Sequence, residues 1–593
     1  MSAAPATSVA SVGRTRVPEL VTASVLAVLA LGPALGPGVV LAYDLAWSPD
    51  ARLTPFALGI GAPAPRAVPS DAVATVLGAA LTPSLAQKVV LVGVLVLAGS
   101  GAARLARALS PGLPSWAAAV AAAAAVWNPF VLERLVVGHW TVLLGYAATP
   151  YLAVEAVRCR ERGGRRVLTL AAAVALCGVG GANTLVLALL AVVPVLLWPR
   201  PALRAALAVL AATGCAASAW AVPSLAGGVT SAALGAEVFA PRADTPFGTG
   251  LSLLAGGGFW NPATHPGERS SWVLAGAALV VVVLSLDAAL RAARVAGRAV
   301  YVVPAALGLA GALIAVLDPF GAWTDLVSGV PGAGLLRDAQ KLLAPLVVLS
   351  AAGTGILAAR LGSARAARPA GAALAVLVAL VPVVTLPSLA WGVGGRLVAT
   401  DVPEDLRSAA TLLSREVPGT AGLLPWGQYR RYAWNGDRVS LTLVPRMVAQ
   451  HVLFDDSLPL TGGTVAGEDP AAARVSAAVA AGADPVEALR LEGVRYVVVE
   501  RRAGGEPPGE AVPAGAQVLA DGAHVLVLDL DPGAAADPVA LGPARRVAWL
   551  VTAATLVAAA GWGTALGLRR VPAAWRRRRV LRGGGYPVVE SAP

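Results

Sequence analysis

Charge is what this chain has least of. Asp, Glu, Lys and Arg make up 13% of 593 residues, against 57% hydrophobic residues and a mean hydropathy of +0.71. Ordinary soluble domains carry about 25% charged residues, so a water-soluble globular protein is excluded. Cysteine is sparse: Cys159, Cys177 and Cys215 lie in or beside apolar stretches, which rules out a disulfide framework or metal cluster. The four histidines, His139, His265, His451 and His524, are far apart and lack zinc-ligand spacing. No metal or other cofactor is expected; a divalent cation is not indicated. Lysine occurs only as Lys88 and Lys341, so arginine supplies nearly all of the positive charge. The net charge of +12 does not point to nucleic acid, because the arginines cluster between hydrophobic runs.

What the chain has in abundance is runs of about 20 apolar residues, each able to cross a bilayer as a helix. Twelve spans are read, near 18–42, 86–108, 115–131, 139–157, 167–182, 184–198, 204–226, 271–290, 299–317, 339–359, 370–391 and 546–568. Gly180-Gly181-Ala182-Asn183 separates the fifth from the sixth. With twelve spans, all the arginine clusters fall on one side: Arg14 and Arg16, Arg104 and Arg107, Arg158 to Arg166, Arg200 and Arg204, Arg291 to Arg298, Arg360 to Arg368, and the tail. The tail holds Arg569, Arg570 and Arg576 to Arg579, and 583–593 reads as disordered. The positive-inside rule makes that side cytoplasmic, with both termini. Val40-Leu41-Ala42 is a weak cleavage-like end, but the apolar stretch exceeds a signal core and reads as an uncleaved anchor.

The expected fold is therefore a polytopic α-helical membrane protein with a C-terminal extracytoplasmic α/β domain. Residues 1–391 form the membrane part, with outer loops 43–85, 227–270 and 318–338. Residues 392–544 form the domain, and 545–593 the final span and basic tail. In the domain, 403–416, 471–481 and 485–492 have helical spacing, while 422–426, 439–444 and 493–499 read as strands. Ala516–Leu519 and His524–Leu528 flank Asp521-Gly522 as a hairpin.

Because charge is scarce, its placement is informative. Tyr43-Asp44-Leu45-Ala46-Trp47-Ser48-Pro49-Asp50 directly follows the first span. A carboxylate there can take a proton from an acceptor held at the membrane surface, or simply end the helix. Asp71 reads as an N-cap. Glu133, Arg134 and His139, followed by Trp140, lie in an otherwise apolar region; they face a polar cavity or pair with each other. Arg337 and Lys341 are four apart, hence on one helix face, outside the arginine-rich side. They suit an anion such as lipid phosphate, or pair with Asp338. Gly256 to Pro262 reads as a turn or a lid. Trp426 to Asn435 combines aromatics and amides, which suit either sugar recognition or docking onto the membrane part. Asp455-Asp456 and Glu468-Asp469 read as solvated loop charge rather than a cation site.

The layout resembles the GT-C superfamily of polytopic glycosyltransferases. An Asp-bearing outer loop after span one, many spans and a C-terminal outer domain carry the resemblance. The Asn128–His139 stretch, Leu336-Arg337-Asp338-Ala339-Gln340-Lys341 and Gly493-Val494-Arg495-Tyr496-Val497 also resemble segments of actinobacterial GT-C-like and YfhO-type membrane proteins. The acidic pair departs from the pattern: Asp44 and Asp50 are six apart, not adjacent. The resemblance implies transfer of a sugar from a polyprenyl-phosphate donor to an envelope glycan, lipid or protein, outside the cytoplasmic membrane and with inversion. It makes Asp44 the base, with Asp50 a second catalytic candidate. It makes Arg134, His139, Arg337 and Lys341 binders of the donor phosphate, and Tyr43, Trp47, Glu133 and Trp140 substrate contacts. The competing readings are a flippase for a lipid-linked precursor and a non-catalytic envelope scaffold.

Overall fold

The computed structural model describes residues 16–61, 65–227, 233–363, 368–460, 463–504 and 512–569. The expectations for Arg14, Arg365, Arg570, Arg576 to Arg579 and the 583–593 tail lie outside these residues.

The membrane part is built from helices α1 (Val17–Leu31), α2 (Ser70–Leu81), α3 (Pro83–Leu109), α4 (Ser115–Val126), α5 (Pro129–Val136), α6 (Trp140–Arg162), α7 (Arg165–Cys177), α8 (Gly181–Leu197), α9 (Leu203–Ala226), α10 (Trp272–Val295), α11 (Val303–Leu317), α12 (Ala344–Gly362) and α13 (Arg368–Val384). A last long helix runs Pro543–Arg569. Among the described residues nine helical segments are long and apolar enough to cross a membrane, or ten if the bent pair 369–384 and 387–395 counts as one. The expected twelve exceed this at two places. Helix α6 falls outside the count because Trp140, Thr141, Tyr146, Thr149, Pro150, Tyr151 and Glu155 dilute its apolar residues. The stretch 165–197 satisfies the test as one segment, yet it reverses. Thr184 donates to the Thr141 carbonyl at one end of α6, and Arg160 donates to the Val195 carbonyl at the other. Helices α7 and α8 are therefore a hairpin that turns at Gly180 and Gly181.

Small residues let the helices approach closely. Ala117, Ala118, Ala121 and Ala122 of α4 are fully buried, and α12 packs against them. A cluster of arginines gathers at one end of the bundle. Arg104, Arg158 and Arg166 surround Glu155, Arg107 pairs with Glu19, and Arg298 donates to the Ala108 carbonyl.

The opposite end carries the C-terminal domain. Its five-stranded sheet has the order β10 (Gln517–Asp521), β11 (Val525–Asp529), β9 (Tyr496–Glu500), β3 (Thr420–Leu424), β6 (His451–Leu453). β3 runs parallel to both neighbours; the β9–β11–β10 part is antiparallel. Helices Pro470–Ala480 and Pro485–Leu491 begin at Asp469 and Asp484, whose carboxylates accept from the first-turn amides, each with proline in the first position. Domain and membrane part are woven together. Val39–Val40 (β1) pairs with Ala399–Thr400 (β2), and Tyr43 exchanges backbone hydrogen bonds with Val439 and Leu441 of β5 (Val439–Leu441).

Candidate active site

Asp44 stands at the junction of the first loop, the bundle end and the domain. The chain reaches it through strained backbone: Tyr43 has φ +46°, a left-handed conformation that a tyrosine rarely adopts. Hydrogen bonds hold it there, from the Tyr43 amide to the Val439 carbonyl and from the Leu441 amide to the Tyr43 carbonyl. The Asp44 amide donates to the Val137 carbonyl at 3.1 Å. Just beyond, Gly138 has φ +76°, and a Cβ there would lie 2.2 Å from the Leu45 nitrogen. Only glycine permits this approach. It brings His139 beside Asp44.

Both Asp44 oxygens have partners. His139 Nε2 lies 3.0 Å from Oδ2, and the Tyr429 hydroxyl donates to Oδ1 at 2.7 Å. Burial pushes the carboxyl up, but the His139 hydrogen bond and charge, the Tyr429 hydrogen bond and the Arg446 charge bring it below its ordinary value. Burial and the Asp44 carboxylate push the Tyr429 phenol well above its ordinary value. Asp44 is thus a carboxylate, and its side chain remains 41% exposed.

Behind His139 lies Arg134, whose side chain is fully buried. Its guanidinium reaches His139 Nδ1 at 2.9 Å and both oxygens of Asp338, and it also donates to Gln340. Burial raises the Asp338 carboxyl, but the Arg134 charge and hydrogen bonds outweigh it and hold the group down at about 2. Gln340 in turn donates to Glu133 at 3.1 Å and to the Gly257 carbonyl at 3.3 Å. Phe259 lies under the Arg134 guanidinium at 4.6 Å and edge-on to His139.

Arg337 differs from Arg134. Among the described residues its side chain has no hydrogen bond or ion pair, and it rests on the Phe239 ring at 4.6 Å. Burial and the nearby Arg66 charge hold its pKa below the usual arginine value, while Glu468, Asp338 and Asp44 act the other way. It lies close enough to Glu468, Asp338 and Asp44 to feel their charges. Arg66 stands nearby, paired with Glu468 at 3.2 Å and Asp456 at 3.6 Å.

No family model matches the chain, and no curated protein matches it. Solved structures do. Arabinofuranosyltransferase AftD from Mycobacteria superposes with a TM-score of 0.54 at 18% identity, over 89% of this chain and 40% of that one. The chain has the GT-C fold. It spans about two fifths of the length of the AftD chain. Archaeal oligosaccharyltransferase AglB from Archaeoglobus fulgidus, solved with an inhibitory peptide and a dolichol-phosphate, aligns over 82% of this chain and 69% of its own at 12% identity. Its TM-score of 0.35 adds nothing to the fold assignment.

Within this GT-C fold the structure brings together Asp44, Arg134, His139 and Arg337, and it moves other candidates away. Asp50 shares a pocket wall with Asp44, but its carboxylate pairs with Arg407 of the domain at 3.1 Å. Arg337 and Lys341 do not share a helix face, because the backbone is broken at Asp338 between two short 3₁₀ turns. Lys341 turns inward to Asn183, at 2.7 Å, and to the Leu335 carbonyl. Glu133 and Arg134 do not pair with each other; Glu133 meets Gln340 instead. Tyr43 serves through its backbone. Trp47 and Trp140 pack 6.0 Å apart beside Asp44. Asp71 is not an N-cap, since the helix begins one residue earlier behind Pro69; its carboxylate pairs with Arg446 at 2.8 Å.

Gly256 to Pro262 is a packed turn. Gly257 touches the buried Asp244–Arg269 ion pair so closely that a Cβ would overlap it, and Phe259 is fully buried. Behind this turn an apolar pocket of about 720 Å³ opens between α4, α10, α12 and α13, with Gly256 and Arg269 on its wall. Asp456 and Glu468 hold Arg66 rather than standing solvated, and Asp469 caps a helix. Tyr429, Asp338, Gln340 and Phe259 were not among the expected site residues. Each nonetheless lies in a segment that the sequence singled out: Trp426 to Asn435, Leu336 to Lys341 or Gly256 to Pro262.

Proposed function

We propose that this chain is a membrane glycosyltransferase that moves a sugar from a polyprenyl-phosphate donor to an envelope acceptor, at the face carrying the C-terminal domain. The observation that carries the reading is an exposed carboxylate, Asp44, near enough to feel the charge of Arg337, whose side chain has no hydrogen bond or ion pair among the described residues. In this reading the acceptor hydroxyl gives its proton to Asp44 as its oxygen attacks the anomeric carbon. The bond from that carbon to the phosphate oxygen breaks, and the lipid phosphate leaves with the electron pair. A single displacement of this kind inverts the anomeric centre.

Arg337 would meet the departing phosphate, with Arg134 adding positive potential behind it and His139 orienting Asp44. Lys341, held by Asn183, would contribute charge at longer range. The apolar pocket behind Gly256 would take the first isoprene units of the donor, since its wall is one residue from the Gly257 carbonyl that holds Gln340 and through it Arg134. The arginine-rich end of the bundle supports a cytoplasmic placement for that end and an extracytoplasmic one for the domain.

The test is incorporation of radiolabelled sugar from polyprenyl-phosphate donors into envelope acceptors by the full chain in nanodiscs, beside Asp44→Asn. Transfer by the wild type that falls by about a hundredfold or more in a folded Asp44→Asn protein supports the reading. Full transfer by Asp44→Asn removes Asp44 as the base.

A further inference from the structure

At the end of the bundle away from Asp44, positive charge outnumbers its partners. Glu155 of α6 is buried, and its Oε1 accepts a hydrogen bond from Arg166 at 2.7 Å. Its other oxygen, Oε2, faces two more guanidinium groups, Arg104 of α3 at 3.9 Å and Arg158 of α6 at 3.7 Å. Both distances exceed a hydrogen bond, and neither side chain makes one to any described residue. Arg16 is close enough for its charge to act on Arg104, and Arg107 is committed to Glu19. Arg298 and Glu161, beside Tyr301, offset each other. Among the described residues five arginines thus meet two carboxylates, Glu155 and Glu19.

We infer that Arg104 and Arg158 hold the phosphate of an anionic phospholipid. This site stands apart from the transfer reading. The two guanidinium groups reach for the same oxygen, so at most about 8 Å separates their nearest nitrogens, a gap that one phosphate bridges by accepting a charge-assisted hydrogen bond from each. Both side chains are open to a ligand, at 27% and 39% exposed. A zwitterionic headgroup would add an ammonium to the excess of positive charge, and an anionic one offsets it.

Depth and the helix surface select a lipid. Helix α3 has 27 residues and is about 40 Å long, against a hydrocarbon core of about 30 Å. It carries no charge between Lys88 and Arg104, which lie roughly 24 Å apart along it, so Arg104 stands at the level of the headgroups. Leu97 lies two turns nearer the bilayer centre on the face that carries Arg104, and it is exposed. That face offers an acyl chain an apolar surface, which a dissolved phosphate would not use.

The experiment is native mass spectrometry of the full chain in detergent, titrated with dioleoylphosphatidylglycerol or dioleoylphosphatidylcholine. One phosphatidylglycerol is expected to be held about tenfold more tightly than phosphatidylcholine. Arg104→Gln combined with Arg158→Gln weakens it by about tenfold or more. The control, Arg291→Gln combined with Arg294→Gln, removes the same charge from exposed positions at the same end and changes binding by less than about twofold. Arg158→Glu, at a partly exposed position, abolishes retention even where the double variant fails to fold. Equal retention of both lipids, retention that survives Arg158→Glu, or an equal loss in the control overturns the inference. Displacement of the lipid by millimolar inorganic phosphate would give the site to a soluble phosphate and overturns it as well.

Discussion

The Tyr429 hydroxyl donates to Asp44 Oδ1 at 2.7 Å, joining two residues 385 positions apart in the sequence. The domain is therefore part of the proposed site rather than an attachment to it. It contributes a donor to the carboxylate that the first loop presents.

Tyr429→Phe removes that donor and little else. The hydrogen bond helps to hold Asp44 below its ordinary pKa, so its loss raises the pKa. A base works only when deprotonated, so the acid limb of the pH–rate profile moves to higher pH, by less than about one unit. Activity at neutral pH survives. A profile of kcat/KM against pH for the two proteins checks this; an unmoved limb means that Tyr429 does not tune Asp44.

Arg134 and Arg337 are both cations of the site, yet their truncation should have opposite signatures. Arg134→Ala leaves Asp338 buried without its partner and removes the anchor of His139. The expected cost is about 3–5 kcal/mol, enough to reduce the yield of folded protein. Arg337→Ala breaks no hydrogen bond among the described residues, so melting temperature stays near the wild-type value while KM for the donor rises. Thermal unfolding beside donor-concentration kinetics separates the two. An Arg337→Ala protein with unchanged kinetics would rule out phosphate binding at that position.

These pairings mark where the sequence was and was not legible. The spans could be read because each is an apolar run of sufficient length, and the hairpin of α7 and α8 because Gly180-Gly181-Ala182-Asn183 interrupts one. Asp44 could be read because so little charge surrounds it. Ion pairing could not be read. Glu133 and Arg134 are adjacent in sequence, but neighbours in a helix face apart, so each pairs elsewhere. Arg134 finds Asp338 across 204 positions. Sequence proximity offered Asp338 as a partner of Arg337, but tertiary packing gave Asp338 to Arg134 and set Arg337 on the Phe239 ring. The domain's strand β6 also went unread, because three residues are too few to show an alternation.

Gly138→Ala tests whether the contact between Asp44 and His139 depends on close backbone approach. The added methyl meets the Leu45 nitrogen at 2.2 Å and the Ala42 carbonyl at 2.6 Å, both backbone atoms that cannot swing aside. The first loop must shift, and Asp44 with it. Gly112→Ala is the control. That residue has φ +87° with nothing within 4 Å, so it bears only the conformational strain of about 1–3 kcal/mol. Both variants lose some thermal stability, but only Gly138→Ala loses transfer activity out of proportion. Equal activity in the two would place the Asp44 geometry elsewhere than in this glycine.

Asp338 gives a test in pH that needs no substrate. Its folded pKa is about 2, against 3.8 for the unreacted side chain, because Arg134 outweighs the effect of burial. A depressed carboxylate pKa contributes stability that is fully present above the unfolded value and is lost as pH falls through the folded one. The difference amounts to about 2 kcal/mol, present above pH 4 and gone near pH 2. Asp338→Asn is neutral at every pH and lacks this contribution throughout. Melting temperatures of the wild type and Asp338→Asn should therefore lie well apart at pH 6, approach each other below pH 4 and meet near pH 2. Curves that run parallel down to pH 2 would show that the mutation acts through packing alone. The ionised Asp338 would then not be what keeps Arg134 charged, buried and aimed at His139.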